Sequence, residues 1–574
     1  MKVITSFAKD FLSSQVGYGF SDRETLVLDL FFTNTDRKVF FIRPALPTSV
    51  SGALISMYSR MKNQRGIRGH FVDNLLPLIL LSFTSLFRDQ KDDEEVGNTV
   101  RKMQKFLSEN HIRSLDEFCA FSFPLEKAFS EFFASASYDV NYMEKIASSP
   151  KTKHFFKLFL DSYGHNSIAR TTSFTLCCEN ISMLAAKSLE WSRPGSAFIE
   201  LSSRFISMEK AEVYPVWEEV SNMELRSLTK ESIYRMFEMY KEQTSLFTEF
   251  MKERYAPVFS PDDLERGAFG EACDVVGNFL PAGTLTSVGV VASGEAFPEI
   301  LKHLRLDNTP ENEALIEAII EEGDKVGLGQ FIRHADPSEW KRKSWNYLDT
   351  DHFFLDTDEL RDSKMIGWYG ISSRQAEDVL LKSFKDLHAY KEAKTFWDVI
   401  AILKRIPRGD YDKLPNQFEF GSGFFRGIMT FRGWRDVHRQ GFSTHMRTYL
   451  TPHIGFYRYD KPAPQEFFDA SREVYRTGRI LYQKMRECLI SDELTQYPLA
   501  LGNLVGFHIG GNFSQWEFVN WQRTKPSVNH EVRKVIVEGE KLLREYYGWW
   551  KEISRANLVP AYIFSRTKEY IAMM

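Results

Sequence analysis

Cysteine is scarce and scattered: five occur in 574 residues, at Cys119, Cys177, Cys178, Cys273 and Cys488. None forms a Cys-x-x-Cys and none sits at a metal-ligand spacing, which argues against a zinc ribbon or a disulfide scaffold and leaves buried free thiols in a reducing compartment. No metal centre is expected. Long apolar runs are also missing. The longest, Leu75 to Leu81, is interrupted by Pro77 and far too short to span a bilayer. The residues after Lys2 hold no apolar core of signal-peptide length, so a cytoplasmic protein without a membrane partner is expected. Charge of one sign is not in excess either. The formal net charge of −4 gives no basic footprint for nucleic acid. Gly421-Ser-Gly423-Phe-Phe-Arg-Gly427 and Gly327-Leu-Gly329 lack the spacing, and the preceding hydrophobic strand, of a dinucleotide fingerprint. No Gly-Ser linker or low-complexity tract divides the chain.

What remains is ample material for packed interiors: 43% hydrophobic and 14% aromatic residues. The length calls for two large domains or several ordinary ones. The second half reads as a worn copy of the first. Ile55-Ser-Met-Tyr58 is echoed by Ile366-Gly-Trp-Tyr369, and Leu280-Pro281 through Arg305 by Tyr497-Pro498 through Arg523. The offset shrinks along the chain, so the first copy carries an insertion, placed at about residues 88–139. The polar stretch Asp336 to Lys343 suits a boundary, giving repeats 1–335 and 336–574. Ile233, Met236, Phe237, Tyr240, Phe247 and Phe250 recur at helical spacing, as do Phe467, Val474, Leu481, Met485 and Leu489. Ser260-Pro261-Asp262-Asp263 and Thr309-Pro310-Glu311 read as helix starts, with a cap, a first-turn proline and acids that suit the dipole. Phe174-Thr-Leu176 and Phe418-Glu-Phe420 alternate like strand pieces. The expected fold class is α+β: two tandem repeats, each a mixed or antiparallel sheet with long helices.

Chemistry concentrates between Tyr163 and Phe205. Gly164-His165-Asn-Ser167 opens the segment, Ser173-Phe174-Thr175 follows, and Glu200-Leu-Ser202-Ser-Arg204 closes it, with Arg193 just before. Guanidinium forks grip phosphate in two places. Carboxylate and hydroxyl groups serve sugar hydroxyls and base edges. This order of motifs resembles the flavin-dependent thymidylate synthases, which carry Gly-His-x-Ser/Thr, a Phe-Thr-Phe strand, Arg-His-Arg and a Glu-x-Ser-x-Arg-Tyr loop. Here the loop is nearly intact, while Arg-His-Arg reads Trp191-Ser192-Arg193 and Arg170-Thr171 replaces a Glu-His pair. In the second copy Arg435 and Arg447 keep the separation between triplet and loop, with Ser443 and His445 where Glu and Ser belong. A small slip makes Val437-His438-Arg439 a partial Arg-His-Arg. Asn512, Arg523, Glu531 and Arg533 match the family's C-terminal positions.

The resemblance implies a fold, a reaction and a set of site residues. His165, Ser167, Arg193, Arg435, His438, Arg439 and Asn512 would bind FAD. Glu200, Ser202, Arg204 and Arg447 would bind deoxyuridine monophosphate. Arg523, and Arg305 in the first copy, would stabilise negative charge on the uracil as hydride arrives. Methylenetetrahydrofolate would donate carbon and NADPH would reduce the flavin, so no cysteine nucleophile is needed. The losses in the two copies are complementary, which points to one composite site and to a homodimer mimicking the family's tetramer. Two other readings stay open: a flavoenzyme acting on a related pyrimidine nucleotide, and an inactive nucleotide-binding or structural homologue.

Overall fold

The computed structural model describes residues 4–59, 63–83, 98, 101–102, 105, 109–112, 114–147, 154, 166–190, 195–203, 207–257, 260–332, 335–344, 347–350, 353, 366–440, 443–563 and 570–572. Runs rich in β-branched and aromatic residues become strands. Val39–Ile42 (β1), Phe174–Ser182 (β2), Ser196–Glu200 (β3) and Leu285–Ala292 (β4) pair in the order β1-β2-β4-β3. Ile366–Gly370 (β5), Ser422–Thr430 (β6), Thr444–Arg447 (β7) and Leu504–Asn512 (β8) pair in the order β5-β6-β8-β7. Every pairing in both sheets is antiparallel, so the α+β class holds and neither sheet is mixed. The helices that matter for the site are, in chain order, α1 (Met183–Leu189), α2 (Met223–Tyr255), α3 (Pro261–Val276), α4 (Ala296–Asp307), α5 (Pro310–Asp324), α6 (Phe431–Val437), α7 (Gln465–Glu487), α8 (Phe513–Arg523) and α9 (His530–Tyr546). Ser260 caps α3 and Thr309 caps α5, each followed by its proline in the first turn, as the sequence leads one to expect.

The two sheets share details finer than strand order. β2 and β6 each end on a hydroxyl residue that caps the next helix: Ser182 accepts from Ala185 N at 3.0 Å and Thr430 from Gly433 N at 2.9 Å. A glutamate from the first turn of a later helix grips each cap. Glu311 of α5 accepts from Ser182 N and Oγ at 2.8 and 2.6 Å, and Glu531 of α9 accepts from Thr430 N and Oγ1, both at 2.8 Å. Just past the third strand, Leu201 N donates to Ser287 O at 2.8 Å and Thr448 N to Gly506 O at 2.9 Å. These bonds align the two halves residue by residue: Ser182 with Thr430, Leu201 with Thr448, Ser287 with Gly506.

The chain packs as two compact units. One comprises Met1–Trp191, Gly195–Ser202 and Leu285–Arg342; the other includes Ser203–Thr284 and Lys343–Met574. The last change between units falls at Arg342/Lys343, and α2 and α3 pack with the second half. Phe247 of α2 meets Phe467 of α7 at a ring-centroid distance of 5.2 Å.

In the first unit both sheet faces are buried. Alternation sends Val39, Phe41, Leu176 and Val288 toward Phe297, Ile300, Leu315 and Ile319 of α4 and α5. Phe40, Ile42 and Cys177 go toward Ile55, Tyr58, Phe118, Phe129 and Phe132. Each such fully buried side chain is worth about 1.5–3 kcal/mol. The described part of the expected insertion, including the helices Leu115–Ala120 and Phe123–Ala147, lies between β1 and β2 and supplies that second core. Gly289 of β4 lies close under Ile55, where a Cβ would stand 2.8 Å from Ile55 Cβ. In the second unit Phe425, Met429, Val505, Phe507 and Ile509 are buried, while Tyr369, Phe424 and Met446 on the other face are 44%, 36% and 40% exposed.

Several expectations need correction. Ile55 to Tyr58 falls in helical turns, whereas Ile366 to Tyr369 is strand, so the structural partner of β5 is β1. An apolar residue followed three later by Tyr is compatible with either geometry. Phe418-Glu-Phe420 is part of a 3-10 turn after Pro415, with Phe418 buried and Phe420 66% exposed. Leu489 lies beyond the end of α7 at positive φ and is 92% exposed. Cys488 is exposed, while the other four thiols are buried.

Candidate functional site

In the second half, α6 and β7 bring cations and imidazoles together. β7 alternates exposed and buried residues, so His445 and Arg447 share the buried face, paired opposite Ile509 and Phe507. Arg447 is 8% exposed. Its Nη1 donates to Thr448 O at 2.9 Å and Gln496 Oε1 at 3.0 Å, and its Nη2 to Tyr347 Oη at 3.4 Å. The guanidinium lies over Tyr347, Phe431 and Trp434, 4.7, 5.0 and 5.4 Å from their ring centroids. These contacts leave Nε–H and one hydrogen on Nη2 without a partner among the described residues. No carboxylate there pairs with Arg447.

His438, one residue past α6, stacks on Trp434 at 4.5 Å and meets the His445 ring edge-on at 5.8 Å. His438 Nδ1 lies 3.2 Å from Arg435 O. Both imidazoles and the Arg435 guanidinium are buried. Burial pushes the His445 pKa down to about 4, so the ring is neutral near pH 7, and neither of its nitrogens makes a side-chain hydrogen bond. At the rim, Arg439 pairs with Asp436 at 3.1 Å. Arg523, at the end of α8, donates to Asp436 O at 3.2 Å and lies 3.4 Å from its carboxylate. With the Gln440 amide oxygen turned toward it, Arg523 Nε is 3.2 Å from that oxygen. Of the residues expected from sequence, the structure thus gathers Arg435, His438, Arg439, Arg447 and Arg523. His438 ends a helix and His445 lies in a strand. Among the described residues no three His, Cys, Asp or Glu groups could hold a metal ion.

The first half carries a different charge set at the same places. Aligning Ser182 with Thr430 equates Lys187 with Arg435 and Glu190 with His438, and the bonds past the third strand equate Glu200 with Arg447. The expected match of Arg204 with Arg447 is therefore corrected; it preserved spacing from Arg435 but not strand register. In the first half Lys187 pairs with both carboxylates. Lys187 Nζ donates to Glu200 Oε2 at 2.7 Å and also pairs with Glu190, all three buried. Glu200, expected on a substrate, contacts this interior ammonium.

Of the remaining expected residues, Arg305 and Ser202 belong to the first unit and Asn512 caps α8. Arg305 is 4% exposed, pairs with Asp336 and lies 3.8 Å from Glu313, an ion-pair network within the first unit. Asn512 caps α8 in a reciprocal box with Gln515, at 2.9 and 2.8 Å. It stands at the opposite end of that helix from Arg523, roughly 16 Å along the axis at 1.5 Å per residue. Ser202 is half-buried just past β3. His165, Arg193 and Arg204 lie outside the described residues, and so does the side chain of Ser167. Sequence reading missed Trp434, Tyr347 and Gln496 as the walls around Arg447. The signal for Trp434 was its spacing of four from His438 at a helix end.

Comparison with known proteins adds the following. Residues 124–326 match the family model described as thymidylate synthase complementing protein. A UPF0159 protein of Chlamydia muridarum is 23% identical over 572 residues, covering 93% of this chain and 94% of the relative. A UPF0159 protein of Thermoplasma acidophilum is 22% identical over 449 residues, 69% of this chain and 87% of the relative. Among solved structures, the UMP/dUMP methylase PolB from Streptomyces cacaoi bound with 5-Br dUMP aligns at 15% identity and TM-score 0.26, covering 33% of this chain and 94% of that one.

Proposed function

We propose that the chain is a tandem, divergent relative of the flavin-dependent thymidylate synthases that methylates a pyrimidine nucleotide, with deoxyuridine monophosphate the first substrate to test. The observation that carries the reading is the convergence of Arg435, Arg447, Arg439 and Arg523 with two imidazoles around the end of α6, in a chain whose residues 124–326 match that family. Shared strand order, hydroxyl caps and glutamate grips support the duplication.

The chain's own part in such a reaction is recognition and charge stabilisation. A buried guanidinium with an open edge holds a phosphate or uracil oxygen in a fixed direction. Cations arranged before the reaction stabilise charge as it develops on the ring, without reorganisation. The neutral His445 can donate or accept, and so suits a nucleobase edge better than a phosphate. The donor chemistry also fits a flavin dinucleotide in part. Arg439 and Arg523 are partly exposed guanidiniums suited to a diphosphate, and Asn512, whose oxygen caps α8, has only its amide N–H group to offer a flavin ring. Bound flavin would supply the hydride, with methylenetetrahydrofolate as carbon donor and NADPH as reductant.

The test is direct. Purified protein incubated with deoxyuridine monophosphate, methylenetetrahydrofolate, FAD and NADPH is expected to form thymidylate, detected by mass spectrometry. Methylation of uridine monophosphate instead would select the related-nucleotide reading. Nucleotide binding with no product from either would leave a binding protein.

A further inference from the structure

We infer that the first unit carries a releasable strap: residues Ser14 to Gly19, latched by one phenol, Tyr18, onto the buried carboxylate of Glu179. The strap joins two helices on opposite faces of the first sheet. Ala8 and Leu12 of the helix Ser6–Ser13 pack with Val39 and Phe41 of β1, while Val27 and Leu28 of the helix Asp22–Phe31 pack with Phe40 and Ile42. At its start, Val16 N donates to Asp36 O at 2.7 Å and Gln15 Nε2 to the Asp36 carboxylate at 2.8 Å. Past its end, Phe20 packs on the second core under the Arg65 guanidinium, 5.0 Å from the ring centroid. From Gly17 to Gly19, the Tyr18 hydroxyl makes the one hydrogen bond among the described residues, to Glu179 Oε2 at 2.7 Å. Gly17 and Gly19 are exposed, at φ of +62° and +63°, and no atom stands within 4 Å of where their Cβ would be. Glycine takes these angles without strain. Two such turns flanking one residue let its side chain dip inward while the backbone stays in solvent.

The receptor for the phenol is built without the strap. β2 bulges between Cys178 and Ile181, with Asn180 at φ +56°, whereas β6 keeps unbroken register through the matching stretch Gly427 to Met429. A bulge re-aims a side chain, and Glu179 sits in this one, 1% exposed. Its Oε1 accepts from Tyr58 Oη at 2.9 Å and from Ile67 N at 2.8 Å, and Arg68 Nη2 lies 3.4 Å from Oε2. Arg68 is in turn held by the Asn34 and Arg37 carbonyls at 3.2 and 2.8 Å. These donors stay on the carboxylate when Tyr18 leaves, and water takes the phenol's place on Oε2. Opening therefore exchanges one hydrogen bond and lifts one ring from beside the Arg68 guanidinium, 5.4 Å from its centroid, without orphaning a buried charge. Burial, with the Glu179 charge next, pushes the Tyr18 phenol pKa up, so the phenol keeps its proton and the latch its donor. A segment fastened this lightly opens locally, ahead of the sheet it crosses, and uncovers Glu179 and Arg68.

Native-state cleavage of the full chain by chymotrypsin tests this, because the protease cuts after Tyr or Phe at position 18 only when the strap is out. Fragments are identified by mass spectrometry. In wild type, cleavage after residue 18 is expected to be slow yet to precede any cut in β1 or β2, its rate following the open population. Tyr18→Phe removes only the hydroxyl and keeps the cleavage preference; it should accelerate that cut about tenfold. Tyr58→Phe removes a donor from the same carboxylate outside the strap and should leave the cut at position 18 unchanged. Thermal melting of each variant separates strap release from loss of the fold. If Tyr18→Phe does not fold, the order of cuts in wild type decides: position 18 first supports the strap, and simultaneous cutting of β1 and β2 overturns it. Unchanged cleavage in a folded Tyr18→Phe, or equal acceleration by a folded Tyr58→Phe, would also overturn it.

Discussion

Single residues set the pH response. His445 is buried neutral with its pKa near 4, and His530 is lowered to about 3, mainly by burial. Both values lie below the ordinary 6.5, so the unfolded state binds protons more readily than the folded one. Stability from these groups is complete above about pH 6.5 and declines as pH falls toward 3 to 4. For His445 the loss is on the order of 3 kcal/mol. Urea midpoints measured between pH 7 and 4 should fall, and His445→Leu should flatten the decline; parallel profiles for wild type and variant would count against this account. Asn512 gives a second expectation. Its side chain caps α8, so Asn512→Ala should cost about 1 kcal/mol, and Asn512→Ser should recover most of that. A change in flavin binding with unchanged stability would instead return Asn512 to the cofactor. Charge and burial at this scale were only partly legible. Arg435, Arg447 and Arg523 stood out by type and spacing. That no carboxylate among the described residues pairs with Arg447, while Arg305 has two nearby, depends on neighbours brought from other elements, which no local pattern records.

At the level of elements, the repeated device is the cap and its glutamate. Ser182 with Glu311 and Thr430 with Glu531 each tie a strand end, a helix start and a second helix together through two hydrogen bonds. Thr430→Val removes the cap and the hydroxyl bond and leaves part of a half-buried Glu531 without its partner, so a loss of about 1–3 kcal/mol is expected. A double-mutant cycle with Glu531→Gln should show coupling of about 0.5–3 kcal/mol, as residues in contact do. Additive effects would mean that the contact is incidental. Helix starts were readable because Ser260-Pro261 and Thr309-Pro310 announce themselves chemically. Strand pieces were less so: Phe418-Glu-Phe420 alternates yet turns, since Pro415 and the helix it precedes decide the backbone. The slip that matched Arg204 with Arg447 has a similar origin, because spacing along the chain does not fix hydrogen-bond register across a sheet.

For the whole molecule, two four-stranded sheets share one strand order, and the family resemblance was visible where motifs are local, in the loop Glu200 to Arg204. That Glu200 and Arg447 share one register position was invisible until strand pairing aligned the halves. If the chain mimics two subunits of a tetrameric family, two chains suffice for a complete assembly, and sedimentation equilibrium should give a dimer of about twice 66.7 kDa. A monomer that still turns over substrate would show that one chain is enough. The central claim is that this molecule methylates a pyrimidine nucleotide held by the second-half cationic cluster. The most direct measurement is release of tritium from 5-tritiated deoxyuridine monophosphate by wild type and by Arg447→Gln, each with methylenetetrahydrofolate, FAD and NADPH. The account predicts release by wild type that depends on the one-carbon donor and falls by at least about tenfold in the variant. No release from a wild-type protein that binds the nucleotide would contradict it.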